Sequence, residues 1–334
     1  MKVVEKLSDA EKIRDLTTRE RELGLKILQT NLAYQPGERI LIVTDTQKRD
    51  QAAAVWFESA KLLPKLGGLE LITIDDMLIN GEEPPAEVIA AGKTAHILLL
   101  HTTKSLTHTG VSKTARAGGA KVASLPGVSY EIMMQTLTLE YQPIRELGEQ
   151  LKAVVEKGTT LTVTSPAGTH LTANIRQNWV ENDCGFVAPG EITNLPAGEI
   201  FFAPLEGTTT GTWVVDGSIA SDTLDEPIVI TIEAGRAVNI EGGAAAGRLQ
   251  ATLEKVGPLA FSVAEIGIGT NSSASGTASL IEAEKAAGTA HLALGNNSVI
   301  GGSINVPVHI DGVTLSPTIA VDGRIILENQ RFII

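Results

Sequence analysis

Between residues 36 and 124, short apolar runs alternate with segments of helical periodicity, and this alternation limits the fold more than any other feature. Pro36-Gly37 breaks the chain, and Ile40-Leu41-Ile42-Val43 follows as a continuous apolar run ending at Thr44-Asp45-Thr46. A run apolar at every position reads as a strand buried on both faces, as in a parallel sheet. A helix is expected at about 48–63, a strand at Leu69–Ile74, a helix at 85–91 and a strand at His96–Leu100. A helix at 109–117 and a strand at Lys121–Ser124 complete the pattern. Such β-α-β-α order predicts a doubly wound, Rossmann-like or flavodoxin-like α/β domain. Its strand ends carry Asp45, Thr102 and Thr103, where folds of this kind place ligands. No GxGxxG follows the first strand and no GxxxxGK[ST] occurs, so no nucleotide is assigned.

Ahead of this region, Ile13, Leu16, Leu23, Ile27 and Leu28 recur at helical intervals. One or two packing helices are expected over 9–33, with Ser8 or Asp9 as cap. The charged opening MKVVEKLSDAEKIRD also reads as helix and lacks the apolar core of a signal peptide. A further helix over 138–157 leads out of the domain and ends at Lys157-Gly158.

From Thr159 the texture changes. Thr160–Thr164 alternates as a strand, Pro166–Thr169 turns, and Leu171–Ile175 returns. Similar runs follow at 200–203, 212–215, 228–232, 237–241 and 260–268, with a helix at Ala244–Val256 and closing strands near 318–321 and 324–327. The expected organisation is an α/β domain with an N-terminal helix over 1–157 and a mostly β domain over 158–334. Asn271–Gly276 (NSSASG) reads as a solvent loop or a flap, and Glu284 as part of a solvated helix face or else an acid supporting the site around His291.

The net charge of −12 argues against a nucleic-acid partner. One cysteine, Cys184, excludes an intrachain disulfide, and no apolar run reaches the length of a membrane span. A cytoplasmic protein is the default expectation.

The chemistry-bearing residues concentrate late in the chain. His309 and Asp311 form an HxD pair; alternate residues of a strand share a face, so both can converge on one ion. His291 sits in His-Leu-Ala-Leu, a second alternating run. Glu199 in NLPAGEIF and Glu265 in VAEIGIG are acids in otherwise apolar segments. A buried carboxylate needs a cation or a hydrogen-bond network. Together the five suggest a mixed nitrogen and oxygen site for divalent metal. In the first half, His108 in SLTHT is a candidate to touch substrate, or else part of a helix-start loop capped by Thr107 or Thr109. His96 and His101 read as structural.

The segments NLPAGEIFFAP, AEIGIGTN, EKAAGTAHLALG and VHIDG, with GERILIVTD and SLTHT earlier, resemble the thermophilic metallo-aminopeptidases of the aminopeptidase T and S group. The resemblance implies a metal pair, zinc, cobalt or manganese, held by Glu199, Glu265, His291, His309 and Asp311. It implies a homodimer acting on the amino termini of small peptides, with Glu265 or Glu199 as proton acceptor for a metal-activated water. One position departs from the pattern: Ser298 stands where that group has a metal-site tyrosine. Ring-cleaving dihydroxypyridine dioxygenases are similar in overall fold, and there His291, His309 and Asp311 fit an iron(II) triad. A non-catalytic, degenerate metal-binding protein is the third reading.

Overall fold

The computed structural model describes residues 2–138, 140–219, 224–276 and 280–334. The chain divides into two compact units, Met1–Tyr141 with Gly185–Ala197, and Gln142–Cys184 with Gly198–Ile334. The helix Tyr141–Val155 buries Leu151 and Val155 in the core of the second unit. The division therefore falls at Tyr141/Gln142 rather than near residue 157, and the chain returns once to the first unit.

The first unit is built on a six-stranded sheet. In spatial order its strands are Val3–Ser8, Gly68–Ile74, Arg39–Asp45, Ile97–His101, Lys121–Ser124 and Ile192–Asn194. All neighbours are parallel except the first pair. The apolar runs Ile40–Val43 and Ile97–Leu100 are fully buried, as expected for central strands. The Val3–Ser8 strand corrects the helical expectation for the N-terminus. Val3, Glu5 and Leu7 are half-buried while Val4, Lys6 and Ser8 are exposed, a period of two. Its charged residues suit an edge strand, and Lys6 pairs with Glu87 at 2.7 Å. The first helix begins only at Thr18, not at residue 9. Its cap is Thr17, whose hydroxyl accepts from the Glu20 amide while Glu20 accepts from the Thr17 amide. The helix runs to Lys26 and continues as a π-helical turn over Ile27–Asn31.

The second unit holds two antiparallel sheets. The larger has eight strands, in the order Arg236–Glu241, Ile228–Glu233, Thr210–Val215, His170–Asn174, Thr160–Thr164, Thr318–Val321, Arg324–Glu328 and Arg331–Phe332. The smaller has five, in the order His309–Thr314, Ala290–Gly295, Val263–Gly269, Glu199–Phe202 and Glu181–Asp183. One apolar core joins them, with Trp213, Val215 and Leu171 from the large sheet and Phe202, Ile266 and Leu292 from the small one. Trp213 also donates from Nε1 to Thr314 Oγ1 at 3.2 Å. Each such fully buried large side chain contributes roughly 1.5–3 kcal/mol relative to exposure. The helix Ala244–Val256 covers this core with Leu249 and Leu253. Among the described residues, no helix is long and apolar enough to cross a membrane.

Candidate metal centre

The small sheet separates its faces cleanly. Ile200, Phe202, Ile266, Ile268, Leu292 and Leu294 point into the core. The opposite face carries Glu199, Glu265, His291, His309 and Asp311. The register sets this: Gly267 faces His291, Ala293 faces Asp311, Gly295 faces His309 and Glu199 faces Gly269. One irregularity matters. Strict alternation would put Val263 and Glu265 on the same face. A bulge between them pairs Val263 with Leu294 and Glu265 with Ala293. Val263 thus joins the core, and Glu265 turns to the other side.

On that face the side chains converge. His291 Nε2 lies 3.2 Å from Glu199 Oε2 and 3.4 Å from Glu265 Oε1. His309 Nε2 lies 3.3 Å from Glu265 Oε2 and 3.4 Å from Asp311 Oδ1. Glu265 therefore stands between the two imidazoles, one oxygen toward each. Glu199, Glu265 and His291 are buried, while about a third of the His309 side chain (33 %) is exposed. His309 Nδ1 is 2.7 Å from the Asn296 carbonyl. A carbonyl only accepts, so Nδ1 carries the proton and donates it. Nε2 is the nitrogen turned toward the two carboxylates.

A lysine absent from the sequence-based expectations completes the cluster. Lys285 is buried, and its Nζ contacts Glu199 Oε1 and lies 2.9 Å from Glu284 Oε1. Glu284 is not on a solvated helix face; its side chain lies against Lys285. Gly269 makes this approach possible, since a Cβ there would meet the Ala286 carbonyl oxygen at 2.1 Å. The Asn271 amide donates to the Lys285 carbonyl at 2.8 Å and pins the turn. Asn271 is fully buried and the Ser275 amide donates to Glu282 Oε1 at 3.0 Å, so both ends of the NSSASG segment are tied down. In EAEKAAG nothing local distinguishes Lys285 from a surface lysine; only the crossing at Gly269 does.

The electrostatics show a shortage of positive charge. Burial pushes the Glu199 carboxyl up to about 7, although the Lys285 ammonium and His291 act to lower it. Burial opposes the charged form of Lys285, yet Glu199 and Glu284 hold it well above its usual range. For His291, burial is outweighed by the hydrogen bond to Glu265 and the charge of Glu199, and its pKa rises to about 9. Burial would raise Glu265, but hydrogen bonds from His291 and His309 hold it well below the usual carboxylate range.

The donor set fits a divalent cation. Among the described residues, two groups have ligand atoms within 4.8 Å of one another: Glu199, Glu265 and His291, and Glu265, His309 and Asp311. They share Glu265. Glu199 Oε2 is buried and accepts no hydrogen bond, despite its short distance to His291. Buried imidazole nitrogens and carboxylate oxygens gathered on one face of the sheet suit zinc, manganese, cobalt or iron(II).

The other expected residues have their own local surroundings. Ser298, at the place of the tyrosine, is exposed and bonds its own turn, Oγ to Asn296 Oδ1 at 2.9 Å. His108 is an exposed residue of the first unit, in the turn before the helix Gly110–Ala117. Thr109 occupies the cap position, but its hydroxyl donates to the Leu106 carbonyl instead. His101 is structural: Nδ1 accepts from Trp56 Nε1 at 2.8 Å, and Nε2 lies 2.9 Å from the Val128 carbonyl. His96 Nδ1 accepts from the Arg39 amide at 3.1 Å.

Comparison with known proteins adds to this geometry. The model of a family described as 2,5-dihydroxypyridine 5,6-dioxygenase, NicX, matches residues 27–334. The fold is similar to that of 2,5-dihydroxypyridine dioxygenase from Pseudomonas putida KT2440. The TM-score is 0.78 at 18% identity, covering 95% of this chain and 98% of that one. It is also similar to wild-type AmpT from Thermus thermophilus, with a TM-score of 0.70 at 15% identity, covering 95% and 99%. At these identities the likeness is one of fold. No curated protein matches the sequence.

Proposed function

The chain belongs to the 2,5-dihydroxypyridine 5,6-dioxygenase (NicX) family, and from that membership we propose that it is an iron(II)-dependent dioxygenase opening the ring of a dihydroxypyridine. The family match over residues 27–334 carries this reading. It favours the dioxygenase branch over the aminopeptidase expected first from the sequence. The site supports it: His291, His309 and Asp311 offer the two imidazoles and the carboxylate that a non-haem iron(II) ion takes, leaving positions open for reactants.

Iron(II), when bound, supplies the redox chemistry of oxygen activation. The protein's own groups hold and orient. The Asn296 carbonyl fixes the tautomer and direction of the His309 ring. Glu265, with one oxygen toward each imidazole, is the carboxylate proposed to accept the proton that a substrate hydroxyl releases. The core on the far side of the sheet holds these strands in register.

The test is anaerobic loading with iron(II), then oxygen uptake on adding 2,5-dihydroxypyridine. Uptake with loss of the substrate's absorbance, abolished in His309→Ala, is the expected result. Hydrolysis of leucine anilide after zinc or cobalt loading, with no oxygen uptake, would overturn the proposal. One observation favours that peptidase reading: the Glu199, Glu265 and His291 group offers ligands for a second ion.

A further inference from the structure

Of the five clustered side chains His309 is the most exposed, so burial does little to fix its ring. The Asn296 carbonyl holds it instead. We infer that Glu206, which is not among the cluster's donors, is a positioning residue for His309, because it latches the loop that aims this carbonyl. The inference rests on the metal-site reading above but not on the reaction assigned to it.

The Asn296 carbonyl and the Asn297 amide belong to one planar peptide unit, so turning one turns the other. The carbonyl end accepts from His309 Nδ1 at 2.7 Å, and the amide end donates to the Ile304 carbonyl at 3.0 Å. Ile304 returns a bond, its amide donating to Asn297 Oδ1 at 2.7 Å. The Asn297 carbonyl accepts from the amides of Ile300 at 3.1 Å and Gly302 at 2.9 Å. Asn297 is fully buried, and Gly302 leaves room for it, since a Cβ there would meet Asn297 Cγ at 2.0 Å. The loop is wrapped around this one asparagine.

Glu206 ties the wrapped loop to the body of the second unit. It lies in the connection between the strands Glu199–Phe202 and Thr210–Val215. Its Oε1 accepts from the Ser303 amide at 2.7 Å, the Ser303 hydroxyl at 3.1 Å and Asn297 Nδ2 at 3.3 Å. Its Oε2 lies 3.2 Å from Arg176 Nη2. The bond from the Ser303 amide draws the carboxyl below the usual carboxylate range, and an ionised acceptor makes the stronger hydrogen bonds. Ser303 precedes Ile304, so the carboxylate fixes the segment on which the Asn297 amide rests. Without it, Asn297 Nδ2 would lose its acceptor inside a fully buried residue, and the peptide unit facing His309 would be free to turn.

Nitrogen-15 NMR on the metal-free, full-length protein reads the ring directly, with the His309 Nδ1 proton assigned by its loss in His309→Gln. In Glu206→Ala that proton, and the amides of Asn297 and Ile304, should exchange with water at least about tenfold faster than in the wild type. The amides of the strand Ala290–Gly295 should keep their wild-type rates. Affinity for manganese(II), measured by calorimetry, should fall about tenfold or more. Glu206→Gln keeps an accepting oxygen without the charge and should fall between the two. Gly302→Ala leaves Glu206 intact but crowds Asn297, and should reproduce the Glu206→Ala result. Unchanged ring exchange and affinity in folded Glu206→Ala would overturn the inference. So would wild-type ring exchange in Gly302→Ala, or a loosening of the Ala290–Gly295 amides equal to that of the loop. A wild type that takes up no manganese(II), while its ring proton still responds to Glu206→Ala, would sink the metal-site reading and leave the latch standing.

Discussion

Gly267 lies opposite His291 across two antiparallel strands, so close that a Cβ on Gly267 would fall 2.0 Å from His291 Nε2. The imidazole occupies the space a side chain would need. This glycine is required for the room it leaves rather than for its backbone freedom.

Gly267→Ala should therefore displace the His291 ring. Overpacking of this kind typically costs about 1–3 kcal/mol. The larger effect should be on the site, with affinity for manganese(II) falling at least about tenfold. Calorimetric titration alongside thermal unfolding checks both. Unchanged affinity in a folded variant would show that the ring is not held where the structure has it.

Metal removal should destabilise the protein, because an ion bound by the native cluster and not by the unfolded chain stabilises by mass action. At a free metal concentration of about 100 times Kd, the gain is about 2.7 kcal/mol. A chelator should lower the melting temperature, and readdition of iron(II) or manganese(II) should restore it. In His309→Ala the response to metal should largely vanish. A wild-type melting temperature indifferent to chelator and metal would count against the site.

His101 gives a pH dependence unconnected with the metal. It is fully buried in the first unit, and burial pulls its pKa from 6.5 down to about 4. The unfolded chain takes up a proton near pH 6.5 that the folded protein refuses until about pH 4. Stability is unaffected above pH 7 and falls as the pH drops through that window, by about 3 kcal/mol on completion. His101→Gln should remove this contribution. Denaturant unfolding at pH 7 and pH 4.5 for both proteins tests it, and equal acid sensitivity would refute it.

Much of the outline was legible because its cause is local. An apolar run such as Ile40–Val43 can hardly be anything but a buried strand. His309 and Asp311 had to share a face because strand geometry alternates with a period of two. At the N-terminus the same rule finds no alternation to read, since Val3 and Val4 are both apolar and Glu5 and Lys6 both charged. There the charges suggested helix, and the strand forms only because Gly68–Ile74 offers its edge. The strand Ile192–Asn194 is three residues long and exists through its pairing with Lys121–Ser124. No window of the sequence is wide enough to show that.

The sequence by itself determined the kinds of element and the inventory of donors: two imidazoles and several acids in apolar, alternating segments. Period and hydrophobicity are properties of neighbouring residues, so they can be read along the chain. Tertiary structure decided where the donors point and what they meet. A single bulge turned Glu265 away from Val263 and toward both histidines. A glycine without room for a Cβ let the turn at Ala286 cross and brought Lys285 onto Glu199. Both follow from contacts between residues far apart in sequence, set by register and close approach, and no local pattern encodes them.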